Sequence, residues 1–239
     1  MGQGGPVTAR QVGAREVIPL FPLGTVLVPG LVLPLHIFEE RYRRLMTDLL
    51  ARDEPDRVFG VVAIREGWEV GADGVTAMFD VGTLAVLREI RTYADGRSDV
   101  VANGDARFRV LRLADTGTPY HCAEVEWLGE SDGGGAGESG LLATAVARRF
   151  DVYRGLLTRV GAVEAAQMAT LPEDPAVLSY LVAVAMVLDL HDRQRLLECD
   201  STCERLRAEI GLLGRETTLV QELPSLPAVD LARTPSTMN

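Results

Sequence analysis

The sequence predicts an α+β protein in which a β-rich front half with one helix is followed by an α-helical bundle. Three observations support this fold class. Short runs of β-branched and apolar residues, bounded by Gly, Pro and Asp, fill most of the first 130 residues. A glycine-rich stretch, 131–138, follows them and is typical of a linker. Behind it, apolar residues recur every three or four positions, as in amphipathic helices.

Short strands separated by turns are expected through the front half. Prolines at 19, 22, 29 and 34 lack the N–H group of a ladder, so we expect no uninterrupted strand through the first segment. Asp95-Gly96 predicts a hairpin, and Asn103-Gly104 predicts a second turn. The predicted strands are, in order, Glu16–Leu20, Leu31–Ile37, Val58–Ile64, Thr83–Thr92, Asp99–Ala102, Phe108–Leu113 and His121–Leu128.

One amphipathic helix is predicted in the front half, over Glu39–Arg52. Its apolar side chains follow the spacing of a single buried stripe, namely Tyr42, Leu45, Met46, Leu49 and Leu50. A loop, residues 65–80, is expected after the third strand.

The back half predicts a bundle of helices. Apolar residues from 142 to 160 recur at helical spacing. Asp174 caps a helix that is apolar nearly all round, Pro175–Leu190, which we expect at the centre of the bundle. A short helix over Asp192–Leu197 follows, and a Ser-x-x-Glu capping box at Ser201 starts the last one. The expected divisions are a flexible segment 1–15, a β-rich subdomain 16–130, a linker 131–138, a helical subdomain 139–217 and a disordered tail 218–239.

Composition limits the classes of partner and chemistry. The 239 residues are 47% hydrophobic and carry a net charge of −10, which disfavours nucleic acid and membrane surfaces as partners. All 24 basic residues are arginines, which excludes a Ser–Lys dyad, a phosphate-binding loop ending in Gly-Lys-Ser/Thr and a Schiff-base lysine. No secretion signal is visible and three cysteines are too few for a disulfide framework, so a cytoplasmic protein is expected.

Four motifs in a fixed order carry a family resemblance. They are Ile18–Tyr42, rich in prolines, then Phe59–Val62, Val81–Thr83 and Gly104-x-x-Arg107-Phe108. Together they closely resemble the N-terminal, substrate-binding domain of Lon-type ATP-dependent proteases, over residues 17 to 215. The resemblance implies a PUA-like twisted antiparallel β-module followed by a helical bundle. Because the chain has no lysine, the resemblance is to the recognition part alone, and we expect a stand-alone protein that is not an enzyme.

The resemblance implies that the chain binds unfolded or hydrophobic polypeptide segments, or a protein partner. It also implies a role as adaptor for a separate protease, and no cofactor. Apolar side chains in loops suit this role, because burial of any apolar group is favourable without a demand on sequence. The candidate binding residues are Leu31, Trp68, Met78 and Phe79. The alternative is that these side chains fold back and cap the β-module. Pro34 and Phe38 are expected to fix the fold and not to contact a partner.

Other chemistry has weaker support in the sequence. Arg107, Arg109 and Arg112 on one predicted strand could form the RNA-facing strip of an RNA- or nucleotide-binding PUA-like protein, which is the alternative function. We expect instead that they belong to the structural motif and pair with acids. His36 is expected to be a core histidine bonded to backbone. No nucleophile motif or metal-ligand spacing occurs, and we expect the cysteines at 122, 199 and 203 to be buried and unreactive.

Overall fold

The computed structural model describes residues 10–67, 75–159 and 170–222. The chain divides into two compact units, Met1–Gly129 and Glu130–Asn239. The elements of the first unit are β1 Arg15–Leu23, β2 Val32–Ile37, α1 Glu40–Leu50, β3 Val58–Gly67, β4 Val75–Met78, β5 Val81–Thr92, β6 Ser98–Ala114 and β7 Cys122–Trp127. Those of the second are α2 Glu138–Arg159, α3 Pro175–Ala185, α4 Leu190–Glu198 and α5 Thr202–Glu222. The predicted α+β class is confirmed.

The seven described strands of the first unit form a mostly antiparallel sheet that closes on itself. Neighbouring strands follow the order β1-β7-β6-β5-β3-β4, while β2 pairs with β6. The sheet closes because β1 changes partner: its first part pairs with β7, antiparallel, and its second part with β3, parallel.

The expected break in the proline-rich segment lies between β1 and β2, but β1 continues past its predicted end at Leu20 to Leu23. β1 runs through both Pro19, whose partner is Cys122, and Pro22, whose partner is Val62. Each part of β1 pairs with a neighbouring strand on one side only, so some of its backbone N–H groups have no partner in the sheet. A proline is tolerated at such positions, as it is in an edge strand.

The turn predicted at Asn103-Gly104 is also wrong, because β6 continues through it. Gly104 is required there for a close approach of two chain segments. Its N–H donates to the carbonyl of Leu31 at 2.8 Å, and a Cβ at this position would lie 2.2 Å from the carbonyl oxygen of Val28. The hairpin predicted at Asp95-Gly96 is confirmed, with Gly96 at φ 81°.

Two apolar clusters stabilise the first unit. One lies under α1, where Tyr42, Leu45, Met46 and Leu49 of the predicted stripe are buried while Leu50 is exposed. The ring of Tyr42 stacks on Phe21 with centroids 3.9 Å apart. The other fills the interior of the closed sheet around Phe108. Gly60 and Gly82 make room for that ring, since a Cβ at either position would lie 2.7 Å from the tip of Phe108.

The start of the chain contacts the first unit where it is described. Residues 1–9 of the predicted flexible segment lie outside the described residues. Further along, Gly13 donates its N–H to the carbonyl of Trp127 at 2.9 Å, and the guanidinium of Arg10 lies over the Trp127 ring at 4.7 Å. Residues 10–14 therefore cover the end of β7.

The helices of the second unit differ from prediction at three ends. α3 stops at Ala185, because Met186 is extended and Asp189 begins the next helix by accepting a hydrogen bond from the N–H of Asp192 at 2.8 Å. α5 continues to Glu222, into the predicted tail, because Val220 still packs against the core of this unit. The remaining tail residues, 223–239, lie outside the described residues.

The predicted linker 131–138 makes specific contacts with the start of α5. The carbonyl of Ser131 accepts from the N–H of Thr202 at 2.9 Å, and that of Asp132 accepts from Cys203 at 3.0 Å. The predicted capping box is present in part: the Ser201 hydroxyl accepts from the N–H of Glu204 at 3.2 Å. These bonds satisfy helix N–H groups that would otherwise lack acceptors.

A buried ion pair, Arg205–Glu130, joins the first residue of the second unit to α5. The Arg205 side chain is fully buried, and both its terminal nitrogens lie within 3.2 Å of the Glu130 carboxylate. Its Nε donates to the carbonyl of Leu196 at 3.1 Å, and its guanidinium stacks on Tyr180 at 3.8 Å. The donors of the arginine thus have partners on several elements, which is the condition for burying such a charge.

Candidate protein-binding surface

The described residues that were predicted to bind a partner are half-buried and lie in different places. Leu31 packs against the cluster under α1, whereas Met78, at the end of β4, packs against the cluster inside the sheet. Phe79 follows β4, and its N–H donates to the carbonyl of Ala63 at 3.0 Å. Trp68 lies outside the described residues. The structure therefore does not join Leu31 and Met78 in one cluster.

Several apolar side chains on and beside β2 face solvent. Val32 is 55% exposed and Phe38 is 48% exposed, and Pro34 between them is exposed as well. Sequence reasoning assigned Pro34 and Phe38 to the fold alone. The signal that it missed is the alternation along β2, where Leu33, Leu35 and Ile37 face the core while Val32, Pro34 and His36 are exposed.

We name the exposed side chains Val32, Pro34 and Phe38 the β2 patch. β2 pairs with β6 on one side within the described part of the chain. Leu31 accepts a ladder bond from Gly104, so by the two-residue alternation the odd-numbered residues of β2 bond to β6. The nitrogen of Pro34 therefore faces the other edge, which lacks a donor at its centre. Side chains, more than added backbone pairing, must supply binding here.

His36 lies next to the β2 patch and is not a core residue, so the sequence expectation is wrong. The alternation of β2 turns its ring outwards, where about half of the side chain is exposed, and Nδ1 lies 2.6 Å from a carboxylate oxygen of Asp99. The hydroxyl of Tyr93 donates to the other oxygen of Asp99. These two bonds, that of His36 first, hold the pKa of Asp99 below its ordinary value, and the bond to Asp99 raises the pKa of Tyr93.

The ring of His36 also stacks on Phe38, with centroids 6.4 Å apart and planes at 25°. Asp99 thus fixes the orientation of an imidazole that in turn supports Phe38. The result is an aromatic group held in place at the end of the β2 patch.

The arginine strip that favoured RNA serves mainly to hold the fold. Arg107 is buried and donates to the carbonyl of Gly129 at 2.9 Å. Arg112 forms an ion pair with Glu124 at 2.6 Å, and Arg109 is paired in register with Glu126 on β7. Arginines that are already partnered are poor phosphate ligands, so this surface does not favour the RNA alternative.

Other kinds of site find little support in the described residues. Within them, no group of three or more His, Cys, Asp or Glu side chains is placed to hold a metal ion. The cysteines at 122, 199 and 203 are buried and reduced. Of the helices in the described ranges, none is long and apolar enough to cross a membrane.

Comparison with known proteins yields one family. The sequence profile of the ATP-dependent protease La (LON) substrate-binding domain matches residues 17–215. Lon protease 2 of Thermus thermophilus is 32% identical over 209 residues, and Lon protease of Escherichia coli is 30% identical over 208. These alignments cover 86% and 87% of the chain, which spans about a quarter of the length of either relative (25% and 26%).

Two solved structures share the fold. The crystal structure of a Lon N-terminal domain protein from Xanthomonas campestris has a TM-score of 0.57 and 27% identity, covering 83% of this chain and 98% of that one. The N-terminal domain of the Mycobacterium avium complex Lon protease has a TM-score of 0.59 and 19% identity, over 85% of this chain and 98% of the other.

Proposed function

Because the chain belongs to the family of Lon substrate-binding domains, we propose that it binds extended apolar polypeptide segments through the β2 patch and catalyses no reaction itself. The observation that carries the proposal is the exposure of Val32 and Phe38 on a surface whose neighbouring apolar residues are buried. Isolated exposed apolar side chains are common, but Val32 begins β2, Phe38 directly follows it, and Pro34 is exposed between them.

The geometry supports weak, reversible binding. Burial of a whole Val or Phe side chain contributes about 1.5–3 kcal/mol, and each of these side chains has about half of its surface left to bury. The β2 patch therefore contributes about 2–3 kcal/mol, or a factor of tens in affinity. A client segment reaches useful affinity only with further contacts, and residues Leu31, Trp68, Met78 and Phe79 remain the predicted sources of them.

We further propose that a bound client is passed to a separate protease, which makes this chain an adaptor. The absence of lysine from the sequence supports a role outside the Ser–Lys chemistry of such a protease. Buried, reduced cysteines support a cytoplasmic setting for this activity.

The test is a fluorescence-anisotropy titration with a labelled, permanently unfolded protein. We expect saturable binding that tolerates salt and weakens by a factor of tens in the double variant Val32→Ser, Phe38→Ser. The control is Val177→Ser on α3 of the second unit, which makes the same change as Val32→Ser at a valine of nearly equal exposure, 54% against 55%. Trp68→Ala tests the predicted loop separately.

Three outcomes are informative. Loss of affinity in the double variant but not in the control supports the β2 patch. Equal binding by wild type and double variant places the client elsewhere. If the unfolded protein does not bind at all while a labelled single-stranded RNA binds in a salt-sensitive manner, the RNA-binding alternative replaces the proposal.

A further inference from the structure

We propose that the β2 patch selects client segments in which a carboxylate stands beside apolar residues, and that Arg43 and Arg91 bind this carboxylate. The inference rests on the proposed function and names the chemistry of its client. It is carried by the contacts around Phe38 and by the charges that border them.

A continuous series of contacts leads from the β2 patch to Arg91. Phe38 stacks on His36, His36 bonds to Asp99, and Asp99 accepts a hydrogen bond from Tyr93. The guanidinium of Arg91 lies over the Tyr93 ring, 5.4 Å from its centroid. No hydrogen bond of the Arg91 guanidinium occurs within the described residues, and the side chain is exposed.

Arg43 reaches the same corner from α1. Glu39 is the N-cap of that helix, so Phe38 and Arg43 occupy the two positions that face each other at a helix start. The Arg43 guanidinium lies against Gly96, in the turn that joins Tyr93 to Arg97: any Cβ at Gly96 would overlap it. We name Arg43 and Arg91 the arginine corner.

The charges at this corner are unbalanced. Within the described residues, neither Arg43 nor Arg91 forms an ion pair, whereas Arg97 nearby is paired with Asp95 at 2.7 Å. Asp99 is paired in register with Arg91 across β5 and β6 and offsets its positive charge in part, but the Asp99 oxygens already accept from His36 and Tyr93. A positive corner thus borders an apolar patch on a chain whose net charge is −10.

A carboxylate complements this corner better than a nucleic acid does. A guanidinium binds a carboxylate through two parallel N–H bonds, and Phe38 offers apolar surface to a neighbour of the acid. A polyanion, in contrast, is repelled by the whole acidic chain. The acid that we propose is an Asp or Glu side chain of the client segment, and not the carboxyl end of a chain.

Short apolar peptides separate these sources. One peptide carries two Glu residues and an amidated end, a second carries Gln at those positions and an amidated end, and a third carries Gln and a free carboxyl end. We expect the Glu peptide to bind about three- to tenfold more tightly than the amidated Gln peptide at low salt, as befits two exposed ion pairs. The third peptide should bind like the amidated Gln peptide, and an equal gain from its free carboxyl end would contradict recognition of an acidic side chain.

The double variant Arg43→Gln, Arg91→Gln is expected to abolish the preference for Glu and to leave binding of the amidated Gln peptide unchanged. Its charge-matched control is Arg148→Gln, Arg149→Gln, which alters two exposed arginines on α2 and should keep the preference. High salt should reduce the preference in the wild type.

Several results would overturn the inference. One is equal affinity of the wild type for the Glu and amidated Gln peptides. A second is a preference that persists in the Arg43, Arg91 variant. A third is displacement of the Glu peptide by single-stranded RNA, lost in that variant, which would make the corner a phosphate site. Failure of every peptide to bind would instead refute the proposed function on which the inference rests.

Discussion

Loss of the buried arginine in the second unit should destabilise that unit strongly. In the variant Arg205→Met, the methionine retains much of the packing volume but none of the hydrogen bonds. Removal of one partner from a buried ion pair costs about 3–5 kcal/mol. Here the Glu130 side chain is 33% exposed and keeps bonds from Tyr180 at 2.6 Å and Thr202 at 2.9 Å, which places the expected loss near the lower bound, at about 3 kcal/mol.

A neighbouring ion pair provides the matched control. Arg207, also on α5, pairs with Glu138, but the two side chains are 50% and 39% exposed. Because solvent screens such a pair, Arg207→Met should cost less than about 1 kcal/mol. The comparison holds the helix, the charge change and the new residue constant, and varies burial alone.

Urea denaturation followed by two probes measures the effect. Both tryptophans, Trp68 and Trp127, belong to the first unit, so their fluorescence reports on that unit. Far-UV circular dichroism of the helices reports mainly on the second. We expect Arg205→Met to lower the midpoint of the dichroism transition and to change the fluorescence transition less. If the free energy of unfolding fell by less than about 1 kcal/mol, as in the control, the result would refute the argument that Glu130 depends on Arg205 as its buried partner.

Three further predictions concern glycines and a buried acid, all measurable by the same denaturation experiments. Gly104→Ala should destabilise the first unit by about 2 kcal/mol or more, since the new Cβ would lie 2.2 Å from a backbone oxygen of Val28; a neutral effect would contradict the close approach. At Gly155 on α2 a new Cβ would touch no other atom, so Gly155→Ala should stabilise the second unit by about 0.5–1 kcal/mol. A loss of stability would contradict the open space at this position. The Glu209 carboxyl on α5 is fully buried, and burial raises its pKa well above the ordinary value. The folded state thus binds the extra proton, so the second unit should lose stability as pH rises from about 5, by at most ~1.4 kcal/mol per pH unit, and Glu209→Gln should remove this slope; an unchanged slope would place the titration elsewhere.

Local patterns were enough to predict several elements of the fold. The stripe from Tyr42 to Leu50 defines α1 almost to its ends, because helix amphipathicity depends on residues a few positions apart. The continuation of β1 through Pro22 was missed, because its tolerance of proline depends on a change of partner between β7 and β3. Gly104 shows the same limit: a glycine in a turn and a glycine beneath a distant carbonyl look alike in sequence.

The candidate site was less accessible to sequence reasoning. The alternation along β2 was present in the sequence and predicts that Val32 and His36 face outwards, but the apolar character of the segment favoured a core position. The pairing of His36 with Asp99 could not be predicted, because the two residues are 63 positions apart and meet through the register of β2 with β6. The arginine corner depends on the same long-range register.

The proline at the centre of β2 has a consequence for the fate of bound clients. Unfolded apolar segments tend to stack as added strands, and an open strand edge can nucleate such growth. A receptor for these segments risks becoming the first layer of an aggregate. Because Pro34 has no N–H group, the open edge of β2 cannot form the complete set of backbone hydrogen bonds that an added strand requires. Under the proposed function, captured chains would be held mainly by side chains and would dissociate readily, which would keep them available for transfer to a protease.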